Sequence, residues 1–213
     1  MCLTPHENGN SGLLERYEGF FRQAPDDQVR VEKTTNYFEN HQARERIAGL
    51  LPNVKLIFLL REPVARAYSN WLWSRKNGLE TLSFAEAISL EGNRPSPFSP
   101  DRPHVRPFDY QARGRYGTLA EAWLANFGRD QIAFYLFEAA RDEPEQFVEE
   151  VQSFIGINPW PWDKLQTGII NATEPDQSGL DPKLEAQLRE RFAPEVTQLA
   201  KLTGLDVSPW GYD

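Results

Sequence analysis

Residues 55–78, KLIFLLREPVARAYSNWLWSRKNG, decide the fold. In the run Val54 to Leu60 the sole polar member is Lys55, the pattern of a strand covered on both faces in a parallel sheet. Arg61 follows at its carboxyl end. Ligands of open α/β sheets bind beyond that end of the strands, so a cation emerging there is well placed to meet one. Pro63 suits the first turn of a helix, where its fixed φ is preorganised and its missing N–H would have no intrahelical partner. Gly78 marks the stop of that helix. Between Arg61 and Lys76 four cations (Arg61, Arg66, Arg75, Lys76) face Glu62 alone.

Upstream, residues 1 to 12 read as a polar, glycine-containing loop. Leu13, Leu14, Tyr17, Phe20 and Phe21 recur at helical spacing and predict a helix over 12–23, ended by the turn Ala24-Pro25-Asp26-Asp27. Gln28 to Thr34 alternates Val29 and Val31 with polar residues, which predicts a short strand ending at Lys33. Residues 40–50 read as a helix leading into the strand at Val54.

Downstream, Ser83 and Glu86 form a capping box for a helix over 84–90. Residues 92–115 hold five prolines, and five arginines against Asp101 and Asp109. A connection this long suggests either a substrate-facing lid or a mobile insertion. His104 within it reads as an ordinary loop histidine. A helix over 116–127 is expected to close at Gly128 in the C′ manner. Gln131–Phe137 reads as a strand, Pro144–Phe154 as a helix with Phe147, Val148, Val151 and Phe154 on one face, and 182–203 as a last helix. Three strand-then-helix units predict an α/β fold with a mainly parallel sheet in a single domain, 1–213. Three strands make a small sheet, so a further strand is expected in residues 1–12, or else the domain is incomplete at its N-terminus.

The 213 residues carry a net charge of −8 with a pI near 5.0 and mean hydropathy −0.58. Nucleic-acid and membrane-surface binding need a broad positive field, so neither partner is expected, and any anion site is local. Cys2 is the single cysteine, which excludes an internal disulfide or a cysteine zinc cluster and fits a reducing, cytoplasmic compartment. There is no apolar run of membrane-spanning length and no signal-peptide pattern. For that reason the sequon Asn171-Ala172-Thr173 is read as chance.

Arg61 at a strand end and Ser69 about two turns into the next helix are placed to converge on one anion: the guanidinium is a planar multidentate fork for phosphate, and the hydroxyl adds a neutral donor. Lys33, at the end of a different strand, brings a compact charge to the same sheet edge. A structural role is open for each, with Arg61 paired to Glu32 or Glu62 and Ser69 on a helix surface.

The stretch LREPVARAYSNW resembles the 3′-phosphate-binding motif of sulfotransferases that use 3′-phosphoadenosine 5′-phosphosulfate, especially the heparan-sulfate type and its bacterial relatives. The resemblance implies that Arg61 and Ser69 bind the 3′-phosphate. VEKTTNYF is similar to the family's E-K-[ST]-x-x-Y-F segment and carries its active-site lysine to Lys33, whose charge would stabilise the leaving phosphate or the transferring group. The block from Gly114 to Ile157 resembles the family's later helix-strand-helix unit. Implied are a three-layer, P-loop nucleotide-kinase-like fold and metal-free transfer of a sulfuryl group to a hydroxyl or amine, in a small-molecule or carbohydrate acceptor.

Two departures stand out. The family's glycine- and lysine-containing phosphosulfate loop has no counterpart, since Gly9-Asn10-Ser11-Gly12 follows no apolar strand and precedes no Lys-[ST] pair. The expectation is a chain starting after that loop. Near the C-terminus, Glu174-Pro175-Asp176-Gln177-Ser178-Gly179 stands where relatives place a basic loop, so Arg113 and Arg115 become substitutes for it, or cofactor binding is weak. The general base falls loosely on Glu7, with His6 as runner-up. The competing readings are a non-catalytic module keeping the 3′-phosphate site and, disfavoured without a Walker loop, a kinase or NTPase.

Overall fold

The structure, a computed structural model, describes residues 10–25, 27–95, 106–164 and 179–212. Two short parallel strands make its sheet: β1 (Leu56–Leu60) pairs with β2 (Ile132–Leu136), with Leu56 opposite Ile132 and Leu60 opposite Leu136. Parallel pairing demands a long crossover. Here it contains α3 (Pro63–Lys76), α4 (Phe84–Ser89) and α5 (Tyr116–Leu124), after α1 (Asn10–Gly19) and α2 (His41–Leu50). Beyond β2 come α6 (Phe137–Asp142), α7 (Pro144–Ile155) and α8 (Pro182–Thr203).

Aromatic side chains fill the space beside the sheet. Phe58 of β1 lies 4.6 Å from Phe38, 5.0 Å from Trp123 and 5.5 Å from Phe134, centroid to centroid. Trp123 is fully buried, and its indole N–H donates to the carbonyl of Phe38 at 2.9 Å, so its polar end is satisfied inside the core. On α3 the buried residues Val64, Ala67, Trp71 and Ser74 recur every three or four positions. Leu188, Phe192, Val196 and Leu199 do the same on α8, which lies across α5. The two helices approach so closely that a Cβ on Gly117 would sit 2.7 Å from the carbonyl oxygen of Glu195.

Most expected elements form where the sequence places them. Pro63 and Pro144 open their helices, and Ser83 and Glu86 make the reciprocal capping box. Gly78 takes φ +69°, just past the end of α3.

Three expectations are corrected. Gln28–Thr34 is not a strand: Val29 and Val31 are 54% and 70% exposed, and no described strand runs alongside to accept its ladder bonds, so alternation alone does not make sheet. One of the three expected strand-then-helix units, the first in the chain, goes with it. Gly128 is not a left-handed C′ residue. α5 ends at Leu124, and Gly128, at φ −61° and ψ 153°, starts the 3₁₀ turn Arg129–Gln131 with its N–H donated to Gln131 Oε1 at 3.0 Å. Within 106–115, read as part of a long loop, Pro107, Tyr110 and Gly114 are buried while Arg106, Ala112 and Arg115 are exposed. Residues 96–105, including His104, lie outside the described residues, as do residues 1–9.

Candidate functional site

Arg61 leaves the carboxyl end of β1 with its backbone held on two sides. Its carbonyl accepts from the Tyr116 hydroxyl at 2.9 Å, and the N–H of the next residue, Glu62, donates to Glu138 Oε1 at 3.1 Å, just beyond the end of β2. Burial pushes the Tyr116 hydroxyl up to about 12, so it stays a donor at any ordinary pH. The Arg61 guanidinium lies over the Phe137 ring at 5.6 Å from the centroid. Among the described residues no carboxylate lies within ion-pair distance of it, and neither Glu32 nor Glu62 neutralises it.

Glu62 is engaged elsewhere. Its Oε2 caps α3 by accepting from the Ala65 N–H at 2.6 Å, and its Oε1 accepts from the Tyr212 hydroxyl at 2.5 Å and from Arg189 at 3.4 Å. Burial, then the Glu62 carboxylate, drives the Tyr212 hydroxyl far upward. Glu138 Oε2 accepts from the Trp210 indole at 2.9 Å. The C-terminal turn is thereby locked against the sheet's carboxyl end, and both carboxylates are spent on architecture.

Ser69 is the seventh residue of α3, about 9 Å along the axis from Pro63 at 1.5 Å per residue. It is half-buried, and its hydroxyl has no hydrogen-bond partner among the described residues. Neighbouring polar groups of α3 do have partners. Arg66, Asn70 and Ser74, spaced four apart on one face, donate to backbone carbonyls of the 107–110 segment: Arg66 to Tyr110, Asn70 to Pro107 at 3.1 Å, and Ser74 to Pro107 at 3.2 Å. Burial, reinforced by the nearby Arg113 charge, lowers the Arg66 guanidinium below its usual range, and its Nε has no partner among the described residues.

Lys33 is exposed, on the segment that forms no strand. Just after it the chain is gripped by Arg113, which pairs with Glu39, donates to Asn36 Oδ1 at 2.8 Å and Thr35 O at 3.4 Å, and reaches Asn70 Oδ1 at 3.5 Å. Arg115 points elsewhere: its Nε bonds Glu195 Oε1 at 3.1 Å, in a pair whose arginine side chain is 60% exposed. Glu7, His6, Asn171 and residues 174–178 lie outside the described residues.

Sequence reasoning missed the Glu80 clasp. Glu80 accepts from Arg94 at 2.6 and 3.0 Å and from the Tyr110 hydroxyl at 2.9 Å, with a side chain closed to solvent. Its members stand 14 and 30 residues away, beyond any local periodicity; an acidic residue just past the helix-ending Gly78 was the one visible signal. The tryptophans divide between roles, with Trp71 in the core and Trp73 exposed. Trp160 and Trp162 line a cavity of about 450 Å³ with Glu145, Val148 and Glu149 of α7, to which Arg61, Ser69 and Lys33 do not contribute. Among the described residues no group of three or more His, Cys, Asp or Glu is arranged to hold a metal ion, and no helix is long and apolar enough to cross a membrane.

Known proteins resemble this chain over much of its length. Residues 37–169 match the family described as the sulfotransferase domain, a span that includes Arg61, Ser69, Arg113 and Arg115 and begins four residues after Lys33. The bifunctional heparan sulfate N-deacetylase/N-sulfotransferase 1 of Xenopus tropicalis is 33% identical over 129 residues, 59% of this chain but 14% of that protein. The heparan sulfate glucosamine 3-O-sulfotransferase 6 of Mus musculus is 28% identical over 151 residues, 71% of this chain and 42% of that protein. The chain therefore spans well under half the length of these curated relatives. A crystal structure of a sulfotransferase from Alicyclobacillus acidocaldarius superposes with a TM-score of 0.74 at 27% identity, over 98% of this chain and 82% of that one. A strand-end arginine left without a carboxylate, a serine on the following helix, and a match over more than half the residues lead to one conclusion: the chain belongs to the sulfotransferase domain family.

Proposed function

We propose that this protein transfers a sulfuryl group from 3′-phosphoadenosine 5′-phosphosulfate to an amine or hydroxyl of a carbohydrate acceptor. The observation that carries the reading is the Arg61 guanidinium. The residue's backbone is held by Tyr116, the guanidinium lies over Phe137 and lacks a carboxylate partner among the described residues, and on the following helix the Ser69 hydroxyl is likewise unengaged among them. A phosphate fits that pair, taking the guanidinium fork and one neutral donor. The donor nucleotide supplies the sulfuryl group. Arg61 and Ser69 bind its 3′-phosphate, and Lys33 places positive charge where the leaving phosphate develops. Glu7 takes the acceptor proton as the new bond to sulfur replaces the old one. Arg115, whose side chain is 60% exposed, joins the phosphate by exchanging Glu195, which keeps the Thr118 N–H and hydroxyl as donors.

The carbohydrate acceptor is supported by the relatives, whose names specify heparan sulfate amines and glucosamine hydroxyls. The test is incorporation of labelled sulfate from the donor into amino-sugar oligosaccharides, expected for the wild type and lost in Arg61→Ala. A second reading, a module that binds the 3′-phosphate without transfer, is favoured by the exposure of Lys33. Binding of adenosine 3′,5′-bisphosphate without incorporation into any acceptor establishes it, whereas no binding overturns both.

A further inference from the structure

Two arginines flank Gly114, and their surroundings differ in kind. Arg115 is 60% exposed, and its partner Glu195, 15% exposed, also accepts from the Thr118 N–H and hydroxyl. Arg113 and Glu39 are only 17% and 16% exposed, and the same guanidinium also meets Asn36 Oδ1, Thr35 O and Asn70 Oδ1. Releasing Arg113 to a ligand would leave Glu39 a shielded charge with no other hydrogen-bond donor among the described residues, whereas Glu195 keeps the Thr118 N–H and hydroxyl when Arg115 leaves.

We propose that Arg113 is a positioning residue, which fixes the Lys33-to-Glu39 segment against α3 beside Ser69 and is not a phosphate ligand. Glu39 stands six residues after Lys33, and Thr35 two residues after it. Asn70 immediately follows Ser69 on α3. One planar fork thus spans the two pieces of chain that carry the lysine and the serine. The segment has no strand neighbour among the described residues, and its further anchors include the Phe38 carbonyl on the Trp123 indole and the Phe38 ring against Phe58. Lysine would not replace Arg113, since an ammonium lacks the rigid fork that reaches a carboxylate, an amide and a carbonyl together. The catalytic consequence rests on the role proposed above for Lys33, but the anchoring does not.

The test compares wild type, Arg113→Lys, Glu39→Gln and the double variant. Hydrogen exchange at residues 35–39 of the ligand-free protein is the readout independent of activity. Each single variant is expected to accelerate it about tenfold, an opening cheaper by about 1.4 kcal/mol, with no further gain in the double variant. Exchange in β2 stays at the wild-type level, showing the fold intact. Adenosine 3′,5′-bisphosphate affinity stays within about twofold, and kcat falls with the donor KM unchanged. A rise at 35–39 of less than about threefold in Arg113→Lys, or a loss of about tenfold or more in nucleotide affinity, overturns the proposal. If the wild type transfers no sulfate, the exchange and affinity results still decide the role of Arg113.

Discussion

The hydroxyl of Tyr116 donates to the carbonyl of Arg61 at 2.9 Å, joining the first residue of α5 to the residue that ends β1. Tyr116→Phe removes one oxygen and leaves that carbonyl without its donor, at an expected cost of about 1 to 2 kcal/mol in urea unfolding. Because burial holds the hydroxyl near 12, the loss is expected to be the same at pH 6 and pH 9. A loss that vanishes at pH 9 would show the tyrosine ionising and the assignment to be wrong.

At the phosphate site the contributions are expected to rank by how free each group is. Arg61→Ala weakens adenosine 3′,5′-bisphosphate binding by about 10- to 100-fold and Ser69→Ala by about 3- to 10-fold, the ranges for charged and neutral hydrogen bonds. Arg115→Ala loses about threefold at most, since phosphate must displace Glu195. Calorimetric titration measures all three, and an Arg61→Ala protein that binds as the wild type removes the site.

The Glu80 clasp predicts an acid-sensitive fold. Burial alone would raise this carboxyl, but the Arg94 guanidinium, the Leu82 N–H and the Tyr110 hydroxyl outweigh it and hold the group below the usual carboxylate range. A folded value below the unfolded one means stability that is complete above the unfolded value, near 4.5, and lost as pH falls through the folded value. Glu80→Gln is expected to cost about 3 kcal/mol at pH 7, with a gap that narrows below pH 4. Unfolding free energies that differ equally at pH 7 and pH 3 would rule this out.

Gly114 is required for space. A Cβ there would lie 2.7 Å from Cε1 and 2.9 Å from Cζ of Phe192, with the Pro63 side chain at 3.3 Å. Gly114→Ala is expected to destabilise by about 1 to 3 kcal/mol, and adding Phe192→Leu should recover part of that in the double variant. Strictly additive losses would mean the clash is not the cause.

What was legible in the sequence was whatever neighbours in the chain decide. The apolar run before Arg61, the prolines at 63 and 144, and the Ser83–Glu86 box each act within a few residues, and each stands where it was read. Gln28–Thr34 misled because a strand is completed by a partner that local alternation does not supply. Gly128 misled because glycine serves both a left-handed stop and an ordinary extended start. Arg61 and Ser69 were proposed from a compact motif. The Arg113–Glu39 pair and the Glu80 clasp were not, because their members come together only when distant segments pack.

Glu80 holds Arg94 and Tyr110 at once, so the chain between those residues departs from and returns to two points secured by a single carboxylate. The entropy of closing a loop grows slowly with its length, by about 0.6 kcal/mol for each doubling. Insertions or deletions between residues 95 and 105 therefore have little leverage on Arg61 and Ser69. The double hold on Glu80 thus uncouples the length of the chain between Arg94 and Tyr110 from the end of the sheet where Arg61 emerges.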